Sequence, residues 1–133
     1  MSCKSALYAA MQTPTAVAVG GVIPLGSLIR RYGCDIALNG NAVNLTGTGY
    51  YDVDASITAT LTAAGTVTAT LYKDGVAIPG ATASATGAAS GTVDLSIPAL
   101  VRQACCAAGS DLSLVLTGAA ATVNNVALRV QRI

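Results

Sequence analysis

The chain has 133 residues, of which 53% are hydrophobic and only 10% charged, with a net charge of +1. That length makes one domain able to bury a core, and a charge content far below the usual quarter suits a protein that buries surface against neighbours. The near-neutral balance, with no Trp or Phe, leaves no footprint for nucleic acid, and the absence of His and Glu removes the usual general bases and the commonest metal ligand.

Taken in order, residues 1–14 read as an N-terminal arm. Ala6, Ala9 and Ala10 are good helix formers, and residues 5–11 have the length of two helical turns. A helix this short is marginal alone, so the segment reads either as a frayed terminus or as an arm ordered by a neighbouring subunit. Lys4, Tyr8 and Met11 are its candidate assembly residues. Lys4 precedes a mildly apolar run, but Gln12, Thr13 and Pro14 interrupt it, so a cleaved signal is not expected.

Strand signals begin at Thr15. Val17 and Val19 alternate until Gly20-Gly21, and residues 22–29 continue the pattern across Pro24 and Gly26, as an edge strand or a bend would. The same glycines and proline break the most apolar early stretch, residues 16–29, which is too short to span a membrane. Arg30 and Arg31 then read as a solvated strand end. Residues 34–45 hold two short strands around Asn39-Gly40, a hairpin dipeptide.

The clearest signal lies in residues 49–85. Tyr51, Val53, Ala55, Ile57, Ala59 and Leu61 fall on one face, and Tyr50, Asp52, Asp54, Ser56, Thr58 and Thr60 on the other. A period of two belongs to a half-buried strand. Val67, Ala69 and Leu71 repeat it, and Asp74-Gly75 turns the chain back. Pro79-Gly80 marks a bend or bulge in the return strand. Further on, Val93, Leu95, Ile97, Ala99 and Val101 share a face, as do Leu112, Leu114 and Leu116, and finally Val126, Leu128 and Val130. Roughly eight to ten short strands without a core helix predict an all-β fold, an antiparallel sandwich or jelly roll.

The runs G-Y-Y-D-V-D-A-S-I-T-A-T (residues 49–60), A-G-T-V-T-A-T-L-Y-K-D-G-V-A-I-P-G-A (64–81), S-I-P-A-L-V-R (96–102) and L-S-L-V-L-T-G-A-A-A-T-V-N-N-V-A-L-R-V (112–130) resemble the tumour-necrosis-factor-like jelly-roll family. The texture is similar to its bacterial and phage branch, which includes the C-terminal domain of the collagen-like exosporium glycoprotein and small gut-phage structural modules. The likeness covers residues 15–133, which become the jelly-roll domain, with residues 1–14 as the arm. It implies a sandwich of about ten strands and a compact homotrimer, in which Tyr51, Val53, Leu71 and Leu128 serve the core or the threefold interface. A collagen-like Gly-X-Y shaft is absent from this sequence.

Other candidate chemistry is sparse. Cys34, Cys105 and Cys106 lie in the β domain and Cys3 in the arm. Their pairing stays open between an internal disulfide with Cys3 tying a neighbouring subunit, and four reduced thiols as expected in a cytosol. A zinc site lacks both C-x-x-C spacing and histidine. Asp52 and Asp54 share a strand face and read as solvated charges ahead of a Ca²⁺ site or a glycosidase pair. Asp35 and Asp74 read as turn residues. The expectation is a non-enzymatic virion protein without a cofactor, a homotrimeric head decoration meeting the major capsid protein through the arm, with no nucleic acid or membrane partner. The alternatives are a cysteine-linked surface or spore filament subunit and a fibre-tip glycan- or receptor-binding module.

Overall fold

The computed structural model describes residues 5–33, 35–103 and 109–133. Eleven strands run through these residues: β1 (Ala6–Met11), β2 (Thr15–Val17), β3 (Ser27–Tyr32), β4 (Ile36–Asn39), β5 (Ala42–Leu45), β6 (Gly49–Leu61), β7 (Gly65–Lys73), β8 (Val76–Gly87), β9 (Thr92–Gln103), β10 (Ser110–Thr117) and β11 (Ala121–Arg132). They make two antiparallel sheets. The first has the order β3-β1-β11-β6-β9, with β2 pairing β11 beyond the end of β1; the second has the order β4-β5-β10-β7-β8. This is the all-β jelly-roll sandwich that the alternation predicts, with more strands than expected.

The inward sets of the long strands are the ones that the period of two picks out. Tyr51, Val53, Ala55, Ile57, Ala59 and Leu61 are buried, as are Val67, Ala69, Leu71, Leu95, Ile97, Leu112, Leu114, Leu116, Val126, Leu128 and Val130. They form one core between the sheets. Tyr51, Val53, Leu71 and Leu128 therefore serve the core of a single chain. At Asp74-Gly75 both residues have positive φ, 52° and 82°, as a two-residue hairpin turn requires. Pro79-Gly80 falls where the β7–β8 register shifts between Thr70 and Tyr72, which is the expected bulge.

One irregularity sits in β11. The β11–β6 register shifts between Val123 and Asn125, so Val123 and Val126 are both buried although three residues apart. The extra residue reverses the phase of the alternation. Asn124 stays within the ladder's reach, its Nδ2 donating to Thr60 Oγ1 at 2.7 Å.

Three expectations are corrected. Residues 6–11 are the strand β1 and not helical turns. Leu7, Ala9 and Met11 point into the core, and β1 pairs with β11 on one side and β3 on the other. Ladder bonds on both edges outweigh the weak helix preference of three alanines. The arm expected over residues 1–14 thus contains an internal strand of the first sheet, and Met11 is core. Residues 22–29 are not a continuous strand, since β3 begins at Ser27 and includes Arg30 and Arg31. Residues 20–23 instead cross to the second sheet. Gly20 N–H donates to Leu116 O, Ile23 N–H to Leu114 O, and Leu116 N–H to Gly21 O. This serves the part of β10 that β5 does not reach, because β5 pairs only with Ser110 to Leu112. Ile23 and Leu25 are fully buried on the way.

Candidate interaction surface

With the inward faces committed to the core, interaction must use an outer face, an edge or an end. Among the described residues ten large hydrophobic side chains are exposed, and six of them belong to the first sheet: Tyr8, Leu28, Ile29, Tyr32, Tyr50 and Leu100. The strands of the second sheet contribute one, Val76 beside the β7–β8 turn. Strand β3 is exposed at all six positions.

Register assembles this face in rows. One row runs Arg30, Tyr8, Arg129, Asp54, Pro98 across β3, β1, β11, β6 and β9. The neighbouring row is Tyr32, Ala6, Gln131, Asp52, Leu100, and on the other side lies Ser27, Ala10, Ala127, Ser56, Ser96. Large apolar groups thus stand at both rims, small residues fill one central row, and the charges sit together beside it. Arg129 Nη2 lies 3.4 Å from Asp54 Oδ2 and 3.7 Å from Asp52 Oδ2. All three side chains are about half exposed, which puts the pairs in the class worth roughly 0–1 kcal/mol. Their effect is to neutralise the face more than to hold the fold.

The same arrangement answers the chemistry asked of Asp52 and Asp54. Arg129 supplies the positive charge beside both, and no third ligand completes a metal site among the described residues. Three shallow depressions mark this part of the molecule, and Tyr8 lines each of them. One of about 200 Å³ is shared with Asp54, Ser56, Ala127 and Arg129. One of about 370 Å³ lies toward Gln12 and Ile29, and one of about 220 Å³ toward Arg30 and Tyr32. Tyr8, expected to act from the N-terminal arm, lies on the first sheet's outer face. Lys4 and the four cysteines, Cys3, Cys34, Cys105 and Cys106, lie outside the described residues.

A polar clasp that the sequence did not announce closes one end of the sandwich. The Arg132 guanidinium pairs with the Asp35 carboxylate and donates to the carbonyl of Thr48. Arg132 N–H donates to Ser5 O at 2.8 Å, and Asp35 N–H donates to Ser5 Oγ at 3.1 Å. The ionic side chains are only 15% and 14% exposed. A Cβ at Gly47 would collide with the Asp35 carboxylate, so only glycine fits there without a shift. Tyr51 completes the cluster, its hydroxyl donating to Gly47 O at 2.6 Å. Burial, and then the Asp35 carboxylate, push the Tyr51 pKa above its ordinary value of 10.0, against smaller opposing effects of Arg132 and the Gly47 hydrogen bond. Asp35, read from sequence as a turn residue, lies in a bend and is also one half of a partly buried ion pair. Gln103, opposite Gly49 in the ladder, is also buried here.

Structural comparison places the fold. Over 96% of this chain and 98% of that one, it matches murine APRIL at pH 5.0 with a TM-score of 0.73 and 12% identity. Eiger TNF from S. frugiperda matches over 100% and 94% of the two chains, with a TM-score of 0.72 and 13% identity. The PRD1 vertex protein P5 matches over 100% and 99%, with a TM-score of 0.68 and 14% identity. No family model matches the sequence, and no curated protein matches it either. The chain has the jelly-roll fold that these structures share, Eiger TNF and the PRD1 vertex protein among them.

Proposed function

We propose that the chain is a non-enzymatic structural protein of a bacteriophage virion, a homotrimer that decorates the head. The observation that carries this reading is the concentration of exposed apolar side chains on one sheet of a weakly charged domain. Exposed apolar patches of this kind mark contact surfaces. The homotrimer is what the family resemblance implies, and the first sheet's outer face is assigned to it. There, Ala10, Ala127, Ser56 and Ser96 permit close approach while Ile29, Tyr32 and Leu100 at the rims, and Tyr8 on β1, supply apolar area. The likeness to the PRD1 vertex protein supports a virion location. Attachment to the major capsid protein is assigned to the stretch ahead of β1, which includes Lys4, because β1 itself is committed to the sheet.

The test has two arms. Native mass spectrometry of the purified protein, with and without reductant, is expected to give three chains in both conditions; one chain in both would remove the trimer. Quantitative proteomics of phage particles released from cells carrying the gene is expected to find the chain in many copies per particle. Its absence from purified particles would remove the virion role. Deleting residues 1–14 is not a usable test, since it takes β1 out from between β3 and β11.

A further inference from the structure

Among the described residues four strands end the two sheet orders, β3 and β9 in the first and β4 and β8 in the second, while β2, which pairs only β11, is three residues long. A free strand edge offers unpaired backbone donors and acceptors to any passing strand, and proteins guard against this with charge, proline, bulges or brevity. Three of the four edges are guarded. β3 carries Arg30 and Arg31, β9 carries Asp94, Pro98 and Arg102, and β4 has only four residues. The first half of β8 is guarded by Pro79 and the register shift. Its second half, residues 81–87, reads A-T-A-S-A-T-G and has no charge, no proline and no bulge. Beyond the β7 ladder, no other backbone hydrogen bond engages these residues among those described.

This open segment is also its own mirror. The five residues T-A-S-A-T read the same in both directions about Ser84. An antiparallel partner strand of the same sequence, set on a twofold axis through Ser84, places Ser84 opposite Ser84, Thr82 opposite Thr86 and Ala83 opposite Ala85. β8 already makes hydroxyl pairs of that kind on its other side. Thr66 with Thr86 and Thr68 with Ser84 both stand 2.8 Å apart, and Thr70 with Thr82 stands 3.1 Å apart. The exposed alternation would carry the same hydroxyl ladder across the junction, and with period-two symmetry about Ser84 no side chain of the open segment is forced into a mismatch.

We propose that a second copy of this chain pairs with β8 along residues 81–87, antiparallel and isologous about Ser84. The contact joins the second sheets of two molecules into one continuous sheet. It is separate from the first-sheet face assigned to the trimer, so a trimer would present three such edges. A seven-residue edge pair by itself falls short of the roughly 1,200 Å² that a standard stable interface buries. It acts through repetition, linking trimers where their local concentration is high.

Cysteine trapping in the full chain tests the axis. In a β8–β8 pair, Ser84→Cys faces its own copy at cross-strand distance, whereas Thr86→Cys faces Thr82 of the second copy. Expected is covalent dimer from Ser84→Cys under mild oxidation, several-fold above wild type and above Thr86→Cys, with a mixture of Thr82→Cys and Thr86→Cys restoring it. Equal trapping by Ser84→Cys and Thr86→Cys overturns the proposal. Sedimentation supplies a second readout that needs no thiol. Wild type is expected to form larger species as concentration rises, and Ser84→Lys, a substitution at an exposed position, to lose them while keeping the mass of the basic unit. Growth that persists in Ser84→Lys, or wild-type sedimentation that is independent of concentration, also overturns it.

Discussion

The outer faces of the two sheets are built from the same strand grammar and carry different surfaces. Inside, both present the same Val, Leu, Ile and Ala alternation to a shared core. Outside, the second sheet shows Thr66, Thr68 and Thr70 paired with Thr86, Ser84 and Thr82, hydroxyl on hydroxyl. The first sheet shows small residues in the middle, a cluster of Arg129 with Asp52 and Asp54, and large apolar side chains at its rims. A hydroxyl ladder satisfies itself and is content in water. Exposed Leu28, Ile29 and Leu100 gain nothing from water and gain about 25 cal/mol for each Å² that a partner covers. Core formation therefore explains the inner alternation of both sheets but explains the outer composition of neither, and the difference between them is what the proposed trimer rests on.

The strongest way to break the comparison is to place one charge on each face. Ala127→Arg puts a cation and a long side chain into the small central row of the first sheet, between Ala10 and Ser56. The expected result is complete loss of the trimer, with the native mass falling to that of one chain. Thr68→Arg, on the second sheet's ladder, is expected to leave the mass unchanged at the cost of one hydroxyl pair. If both variants keep the trimer, or both lose it, the two faces do not differ in the way proposed.

How much of this was legible in the sequence depends on where the partner of each residue lies. β6, β7, β9 and β10 declare themselves because each carries its own period-two pattern over several residues. β1 does not. Leu7, Ala9 and Met11 do alternate, but the alanines between and beside them favour a helix as readily. The strand is decided by β11, whose Val130, Leu128 and Val126 stand opposite those three residues from the far end of the chain. Ile23 and Leu25 are buried without belonging to a strand, so periodicity had nothing to report there. The outer face of the first sheet was the least legible feature. Its row of Arg30, Tyr8, Arg129 and Asp54 draws on four strands, and no local window contains more than one of those strands.

A second prediction separates two arginines three positions apart on the same strand. Arg129 is half exposed on the first sheet's face, and its pairs with Asp52 and Asp54 are screened by solvent. Arg129→Ala is expected to change the stability of one chain by less than about 1 kcal/mol. Arg132 faces Asp35 where both side chains are about 15% exposed. Arg132→Ala removes that cation from a carboxylate that has lost most of its water, and is expected to cost about 3 kcal/mol. Urea denaturation of the two variants, read under conditions where the oligomer is matched, measures the contrast. Equal losses would mean that the clasp is no more than another surface ion pair.

An effect smaller than that of Arg132 is also at the clasp, and pH isolates it. Tyr51 Oη donates to Gly47 O from within the core, and burial together with Asp35 raises its pKa above 10.0. In the unfolded chain the phenol titrates near 10, so between that value and the higher folded one the folded state holds more protons. Stability contributed by the neutral phenol is therefore fully present below about pH 10 and falls as pH rises toward the folded pKa. Tyr51→Phe removes the donor and the titration together. At neutral pH it is expected to cost about 1 kcal/mol for the lost hydrogen bond. Above about pH 10 the wild type loses stability through this residue and the variant does not, so the gap between them should narrow. Equilibrium unfolding of both proteins at pH 7, 9 and 10.5 follows that gap. A gap that stays constant through pH 10.5 would mean that the Tyr51 phenol titrates alike in the folded and unfolded chains, and that Asp35 and the surrounding core do not hold its proton.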